Sequence, residues 1–343
     1  MRWYWTGLLG ALLFTASSTA LPAPRGSGGQ VSGPFVHQNL AIYFLHGDSS
    51  SGPAPLTLEE ALTKKAAKLT ETGQVDSLDI ENTGDEPIFV QSGDIVKGGQ
   101  QDRALVASLL IPPHSGRTRI AVYCVEQGRW SGRPGEDPKA FSSAAMALPS
   151  RAAKIAIKAP AVPAGAGSKQ LEVWKNVKTV QEQLSSNIGA PVASPQSQTS
   201  LQLALENEAL AKAMAGYVIE LQPLGEKGSD IVGYAFAVNG KLSTADIYPS
   251  NALFRKMWGK LIKAAAAEAI AARTAGKTDP APSTNAVDLF LKSAEDGTKA
   301  DQEVARGIRV ETHDSSRALY SVTRPANPAS PGLPFIHQNY LAK

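Results

Sequence analysis

Around the stretch Leu78–Trp130 the chain can fold in few ways. Four β-prone runs, Val75–Glu81, Pro87–Val96, Ala104–Ile111 and Thr118–Glu126, follow one another closely, separated by Asn82-Thr83-Gly84-Asp85, Lys97-Gly98-Gly99 and Pro112–Gly116. Glycine, proline, asparagine and aspartate supply the backbone angles that tight turns need. Connections this short join antiparallel neighbours, because a parallel pair needs a crossover of a dozen residues or more. An antiparallel sheet is therefore the expected centre of the fold.

The flanking segments add helices and further hairpins. Phe35–Leu45 alternates poorly but is strongly apolar and β-prone, and reads as a buried strand. Thr57 with Glu60 three residues on forms a capping box ahead of a helix. Phe141–Leu148 is expected as a short helix, and apolar residues recurring at three and four predict another over Gln170–Ser186. Leu201–Gly216 is expected to be helical and to pass into a strand at Tyr217–Leu221. Asn239-Gly240, flanked by DIVGYAFAV and KLSTADIY, predicts a hairpin with a type I′ turn, whose two central residues both need positive φ. Ser250 opens a long helix that Gly276 is expected to close, and its far alanines imply close packing on a neighbour. Asn285–Ala294 reads as a short helix, and Gly307–Thr312 with Ala318–Thr323 as a closing pair of strands.

These readings add up to an α+β protein: an antiparallel β-sheet-rich core with several packed helices, in a single globular domain after a signal peptide. The expected boundaries are a signal peptide at 1–20, a flexible leader at 21–33, the domain at 34–325 and a C-terminal tail at 326–343. Surface connections are expected near 149–168 and 187–199. Arg2, the apolar run Gly7–Ala16 and the small residues of Ser18-Thr19-Ala20 have the pattern of a cleaved export signal. The run is too short to span a bilayer, so the expected location is secreted or periplasmic, with no membrane insertion after cleavage.

Composition narrows the partners. The formal net charge is +3, from 34 basic and 31 acidic residues that are interleaved along the chain. A nucleic-acid binder concentrates its cations in a stripe, so nucleic acid is not an expected partner. The single cysteine, Cys124, excludes an internal disulfide and sits in a strand-like run, where a buried structural thiol is expected. The five histidines are scattered with no paired spacing, and no metal site and no cofactor are expected. One echo stands out: Pro34-Phe35-Val36-His37-Gln38-Asn39 recurs as Pro334-Phe335-Ile336-His337-Gln338-Asn339.

The segments ENTGDEPIFV, Gly93-Asp94 with KGGQQDR, IPPHSGRTRI and CVEQGRW, and the later DIYPSNALFRKMWGKLIKAAAAEAI, carry a family resemblance. The chain resembles the ADP-ribosylglycohydrolase and rhodanese-phosphatase superfamily associated domain over much of residues 36–323, with CVEQGRW the most specific piece. The resemblance implies a neighbourhood of ADP-ribose and phosphate chemistry rather than a reaction.

Two polar clusters are the candidate site. The first holds Asp94, Lys97, Gly98, Gly99, Gln100, Gln101, Asp102 and Arg103, where a glycine pair lets backbone amides approach an anion beside two cations. The second holds Glu126, Gln127, Arg129 and Trp130, with an arginine to clamp an anion and an indole to stack on a ring. Asp94, Asp102 and Glu126 are the candidate acid–base groups. If the sheet sets the Glu126 strand end beside the Gly98-Gly99 turn, both clusters serve one site. With no catalytic dyad, no nucleophile elbow and no serine-hydrolase trio in evidence, the expected function is a non-catalytic ligand- or protein-binding module. Its ligand would be a small anionic or nucleotide-like compound. The alternative is a hydrolase or processing enzyme for a phosphate- or ADP-ribose-bearing compound.

Overall fold

A computed structural model describes residues 29–158, 166–274, 276, 279–326 and 333–343. The expected signal peptide lies outside the described residues. In chain order the first elements are β1 (Val31–His37), β2 (Leu40–His46), β3 (Leu56–Thr57), α1 (Leu58–Thr63), β4 (Ala67–Glu71), β5 (Ser77–Asn82), β6 (Ile88–Val90) and β7 (Ile95–Gly98). There follow β8 (Arg103–Leu105), β9 (Leu109–Ile111), β10 (Gly116–Cys124), β11 (Phe141–Ser143), α2 (Arg151–Lys158), α3 (Ala166–Ile188), α4 (Leu201–Leu205) and α5 (Glu208–Gly225). The last are β12 (Ile231–Val238), β13 (Lys241–Ile247), α6 (Asn251–Ala271), α7 (Thr284–Ala294), β14 (Thr298–Ala305), β15 (Ile308–Asp314), β16 (Ala318–Pro325) and β17 (His337–Ala342).

The fold is α+β, built on antiparallel sheets. The largest has eight strands in the order β1-β2-β12-β13-β17-β16-β15-β14. Its middle strands are covered on both faces, which is why they read as unbroken apolar runs rather than alternating ones. Leu40, Ile42 and Phe44 of β2 join the main core, while Ala41, Tyr43 and Leu45 face a second core closed by Val287 and Leu291 of α7. Helix α6 lies in the main core, capped by Ser250 and buried on nearly every side from Leu253 to Ala271; a helix apolar all round belongs inside a protein.

A six-stranded sheet, β11-β7-β8-β10-β5-β4, and a three-stranded one, β3-β6-β9, stand beside it. The antiparallel sheet expected from Leu78–Trp130 is present, with one refinement. Pro87–Val96 and Ala104–Ile111 each break in two, the first crossing from the small sheet to the six-stranded one and the second crossing back. Gly93, at φ +85°, turns the first run, and Val106–Ser108 turns the second. The chain at these crossings, Ser92 and Val106 to Ser108, lines a cavity described below.

Local signals hold where they are specific. Asn239 and Gly240 both have positive φ (50° and 74°) and join β12 to β13. The Thr57–Glu60 capping box is present in both directions. Other expectations are corrected. Phe35–Leu45 is two strands, turned at Gln38 (φ 52°). Tyr217–Leu221 is part of α5, because Leu210, Met214, Tyr217 and Leu221 are spaced to share one buried helical face. Phe141–Leu148 opens with β11, pairing with β7, rather than with a helix. Helix α6 ends at Ala271, where the Ala272 N–H already satisfies the last carbonyls, and not at Gly276. The stretch 149–168 contains α2, whose Ala153, Ala156 and Ile157 are buried. The leader expected at 21–33 already enters β1 at Val31. The segment 326–343, expected as a tail, contains β17, fully buried between β13 and β16. No described helix is long and apolar enough to cross a membrane.

Candidate functional site

The sheet does set the two sequence clusters side by side. Strand β10 ends at Cys124 next to β8, so the Asp102 N–H donates to Glu126 Oε2 at 3.1 Å and Gln101 Nε2 donates to the Glu126 carbonyl at 2.9 Å. Arg129 donates to the Gly99 carbonyl at 2.9 Å, and its Nη2 lies 2.7 Å from Glu126 Oε2. At the centre is Arg133, from the polar loop after Trp130. Its two terminal nitrogens fork onto Asp102 at 2.8 and 2.9 Å, Nη1 also reaches Glu126 at 3.2 Å, and Nε donates to Glu136 at 2.9 Å. The Ser200 hydroxyl completes Asp102 at 2.7 Å.

This knot is closed. Asp102 and Glu126 are 0% exposed, and each of their four carboxylate oxygens meets an arginine, an amide or a hydroxyl. Burial pushes the Glu126 pKa up, but the hydrogen bonds from Arg129, Ser197 and the Asp102 amide outweigh it and hold it below the ordinary value. The Gly98 and Gly99 amides are likewise engaged, donating to Asp102 Oδ1 at 3.0 Å and to the Ala140 carbonyl at 3.1 Å. Packing accounts for the glycines themselves. A Cβ on Gly98 would stand 2.3 Å from the Ala140 carbonyl oxygen, and one on Gly99 2.2 Å from the Phe141 ring. Cys124 is buried with its thiol 3.0 Å from Gln101 Oε1, and burial raises its pKa.

The remaining sequence candidates disperse. Lys97 pairs with Glu206 at 2.8 Å at the surface, and the Gln100 amide donates to Glu71 at 2.8 Å. Arg103 is buried against Glu71, at 3.5 Å, and under the half-exposed Trp130 ring, at 5.7 Å. Gln127 is exposed. Asp94 leaves the group altogether: it accepts from Lys260 Nζ at 3.0 Å and from the Gln91 amide at 3.1 Å, on the side facing the large sheet.

A second polar cluster stands between the sheets, and the sequence reading did not assemble it. His337 opens β17, Asp246 lies on β13 across from Asn339, Ser108 sits at the β8–β9 crossing and Lys158 ends α2. Ser108 Oγ is 2.9 Å from His337 Nδ1 and accepts the Ser92 N–H at 3.0 Å. His337 Nε2 lies 3.2 Å from Asp246 Oδ1 without the alignment of a hydrogen bond, a pairing that becomes ionic when the ring is protonated. The imidazole packs beside the rings of Phe89 and Tyr248, at 5.9 and 4.9 Å, and those two rings also touch each other at 5.9 Å. Burial lowers the His337 pKa further than Asp246 raises it. Burial raises that of Asp246, but His337, Lys154 and Lys158 bring it below the ordinary value. Lys158 keeps some surface exposure, yet its ammonium is enclosed. It donates to Ser321 Oγ at 2.9 Å and to Asn339 Oδ1, and burial, against the pull of Asp246, lowers its pKa to about 7.

Ser108, Lys158, Ser321, Thr323 and His337 line a cavity of about 30 Å³, with no carboxylate among its lining residues. Lys158, Val106 and Gln302 also line an adjoining groove of about 590 Å³, whose walls are mostly apolar, with Val75, Val122, Tyr123, Ile157, Leu171 and Trp174, and include the polar Asp76 and Gln170. The Trp174 indole N–H is buried there with no acceptor among the described residues. Among the described residues no group of histidine, cysteine, aspartate and glutamate is arranged to hold a metal ion.

Residues 28–324 match the ARG and Rhodanese-Phosphatase-superfamily-associated Protein domain. The chain belongs to this family. No curated protein and no solved structure matches it. Within the family span lie Ser108, Lys158 and Asp246, while His337 and the rest of β17 lie just beyond it. The one sequence hint to the cluster was the PFIHQN echo. Its first copy places His37 on the edge strand against Tyr217, and its second places His337 in the middle of the sheet. The shared letters thus occupy unlike environments.

Proposed function

We propose that the chain is an exported ligand-binding protein whose ligand carries a compact anionic group and an apolar body. The observation that carries this reading is Lys158: an enclosed ammonium with its pKa lowered to about 7, at the edge of a cavity lined by hydroxyls, His337 and no carboxylate. A buried cation has lost hydration that a bound anion replaces. The cavity holds a headgroup of a few atoms, and the apolar walls of the adjoining groove, with the spare Trp174 donor, suit the remainder of a small amphiphilic carboxylate. Those walls favour such a body over a ribose. Export is supported by the pattern of Arg2, Gly7–Ala16 and Ser18-Thr19-Ala20.

Thermal denaturation with 4-phenylbutyrate, inorganic phosphate and ADP-ribose tests the reading. A ligand at about one hundred times its dissociation constant adds about 2.7 kcal/mol, a shift of a few degrees. The expected result is stabilisation by 4-phenylbutyrate that is lost in Lys158→Met. Stabilisation by ADP-ribose alone, or a carboxylate effect that survives Lys158→Met, overturns it.

A further inference from the structure

We propose that Ser108 is a nucleophile that cleaves carboxylic esters, with His337 as its base and Asp246 as the carboxylate that stabilises the protonated ring. The inference rests on the pocket proposed above and assigns it a reaction, in which the carboxylate held at Lys158 is the product. The hydrogen-bond directions favour it. The Ser92 N–H can only donate, so Ser108 Oγ accepts there at 3.0 Å, and its own hydrogen can go to His337 Nδ1 at 2.9 Å. In that arrangement the ring proton sits on Nε2, on the side where Asp246 Oδ1 lies 3.2 Å away. Asp246 is held in turn by Asn339 Nδ2 at 2.6 Å. A nucleophile, a base within hydrogen-bond reach and a third group behind the base make the constellation from which activated serines are recognised, whatever their order in the chain.

The surroundings supply what the reaction needs. Ser108 and Lys158 line the same cavity, so an ammonium faces the region where an attacked carbonyl develops negative charge. His337 packs against Phe89 and Tyr248, and the groups around it are Asp246, Lys158 and Asp94. Burial lowers its pKa, which keeps the ring a neutral base at physiological pH. In the first step Ser108 Oγ bonds to the carbonyl carbon as its proton moves to His337 Nδ1. The carbon–oxygen bond to the alcohol then breaks, and the alcohol leaves with that proton. In the second step water gives a proton to His337 and attacks the acyl carbon. The bond to Oγ breaks, Ser108 recovers the proton, and the acid departs as its carboxylate, losing its own proton to solvent. The acyl body occupies the groove along Ile157, Leu171 and Trp174.

Diisopropyl fluorophosphate tests the nucleophile without knowledge of the natural ester. Attack by Ser108 forms a phosphorus–oxygen bond and expels fluoride, the serine proton going to His337. The purified protein is incubated with the reagent and the adduct located by peptide mass spectrometry, alongside the 4-phenylbutyrate melt. The expected result is one adduct, on the peptide bearing Ser108. It should form at least tenfold more slowly in His337→Gln, and its rate should rise with pH to a plateau whose midpoint lies below 6.5. No adduct, an adduct on another serine, or a rate indifferent to His337→Gln overturns the assignment. Mapping the adduct in the unsubstituted protein keeps the test valid if Ser108→Ala fails to fold. No adduct with 4-phenylbutyrate still stabilising leaves the binding reading standing without the chemistry. An adduct without carboxylate stabilisation leaves the nucleophile and removes the binding reading.

Discussion

Two buried polar clusters stand in this molecule, and they differ in how their charges are closed. Around Arg133, two carboxylates meet two guanidiniums, and every carboxylate oxygen has a donor. Around His337, the polar groups border open space: Lys158, His337 and Ser108 all line a cavity. A saturated ionic network holds chain segments in register, here β8, β10 and the loop after Trp130. A network that opens on a cavity has donors in reach of another molecule. The first is dense in sequence and the second is assembled from four distant segments, so polar density along a chain is a poor guide to where chemistry sits.

The largest way to break this contrast is Arg133→Met. It leaves Asp102 and Glu126 buried side by side with Arg129 as the remaining cation. Removing one partner from a buried ionic network costs about 3–5 kcal/mol, because the charge left behind stays desolvated. Urea denaturation should show a loss of that size, with the denaturant slope little changed if the native state stays compact. A loss below about 1 kcal/mol would mean that the knot is not the lock that its geometry describes.

Lys158→Met should act in the opposite sense. The lysine has an ordinary pKa of 10.5 in the unfolded chain and about 7 when folded. Between those values the unfolded chain binds a proton that the folded one has released, so this group makes stability rise with pH. Its contribution is complete above about 10.5 and is lost as pH falls through about 7, where both states hold the proton and the buried charge is felt in full. Methionine removes that cost, although Asp246 loses one of the cations around it and keeps Lys154 and His337. The net expectation is about 1–2 kcal/mol of stabilisation at pH 7, and a flatter stability profile from pH 7 to 10. Denaturation midpoints across that range check it; destabilisation at pH 7 would mean that the ammonium is hydrated.

Much of the architecture was legible because it is local. Asn239-Gly240, the Thr57–Glu60 box and the Ser250 cap each specify a turn or a helix end through a few adjacent atoms, and all three are present. The nearness of the Gly98-Gly99 turn to Glu126 and Arg129 was also readable, since short antiparallel connections leave few other pairings. Burial on both faces was harder to read. It erases the alternation that marks a strand, and a lysine such as Lys158 reads from sequence as solvated when its charged end is enclosed. The cluster around His337 was legible only as the PFIHQN echo, which did not assemble it. Its assembly depends on β17 inserting between β13 and β16, a pairing with no local signature. Tyr217–Leu221 failed for a related reason: its β-prone letters matter less than the face that Leu210, Met214, Tyr217 and Leu221 share across one helix.

The smallest effect sharpens the comparison most. Trp130 is the kind of residue that sequence reading selects as a stacking platform, an exposed indole beside arginines. In the structure it is 46% exposed and lies over Arg103, whose guanidinium is buried against Glu71. A cation–aromatic contact at a partly exposed site contributes about 0.5–1 kcal/mol, so Trp130→Ala should lower stability by that amount. It should leave stabilisation by 4-phenylbutyrate unchanged, since Trp130 is not among the residues lining the cavity or the groove. Trp174, by contrast, lines the groove with a buried, unpartnered N–H, and Trp174→Phe keeps an apolar wall while removing only that donor. If carboxylate stabilisation falls in Trp130→Ala and survives in Trp174→Phe, the two clusters have exchanged the roles assigned to them: the ligand sits at the knot and the cluster around His337 is the lock.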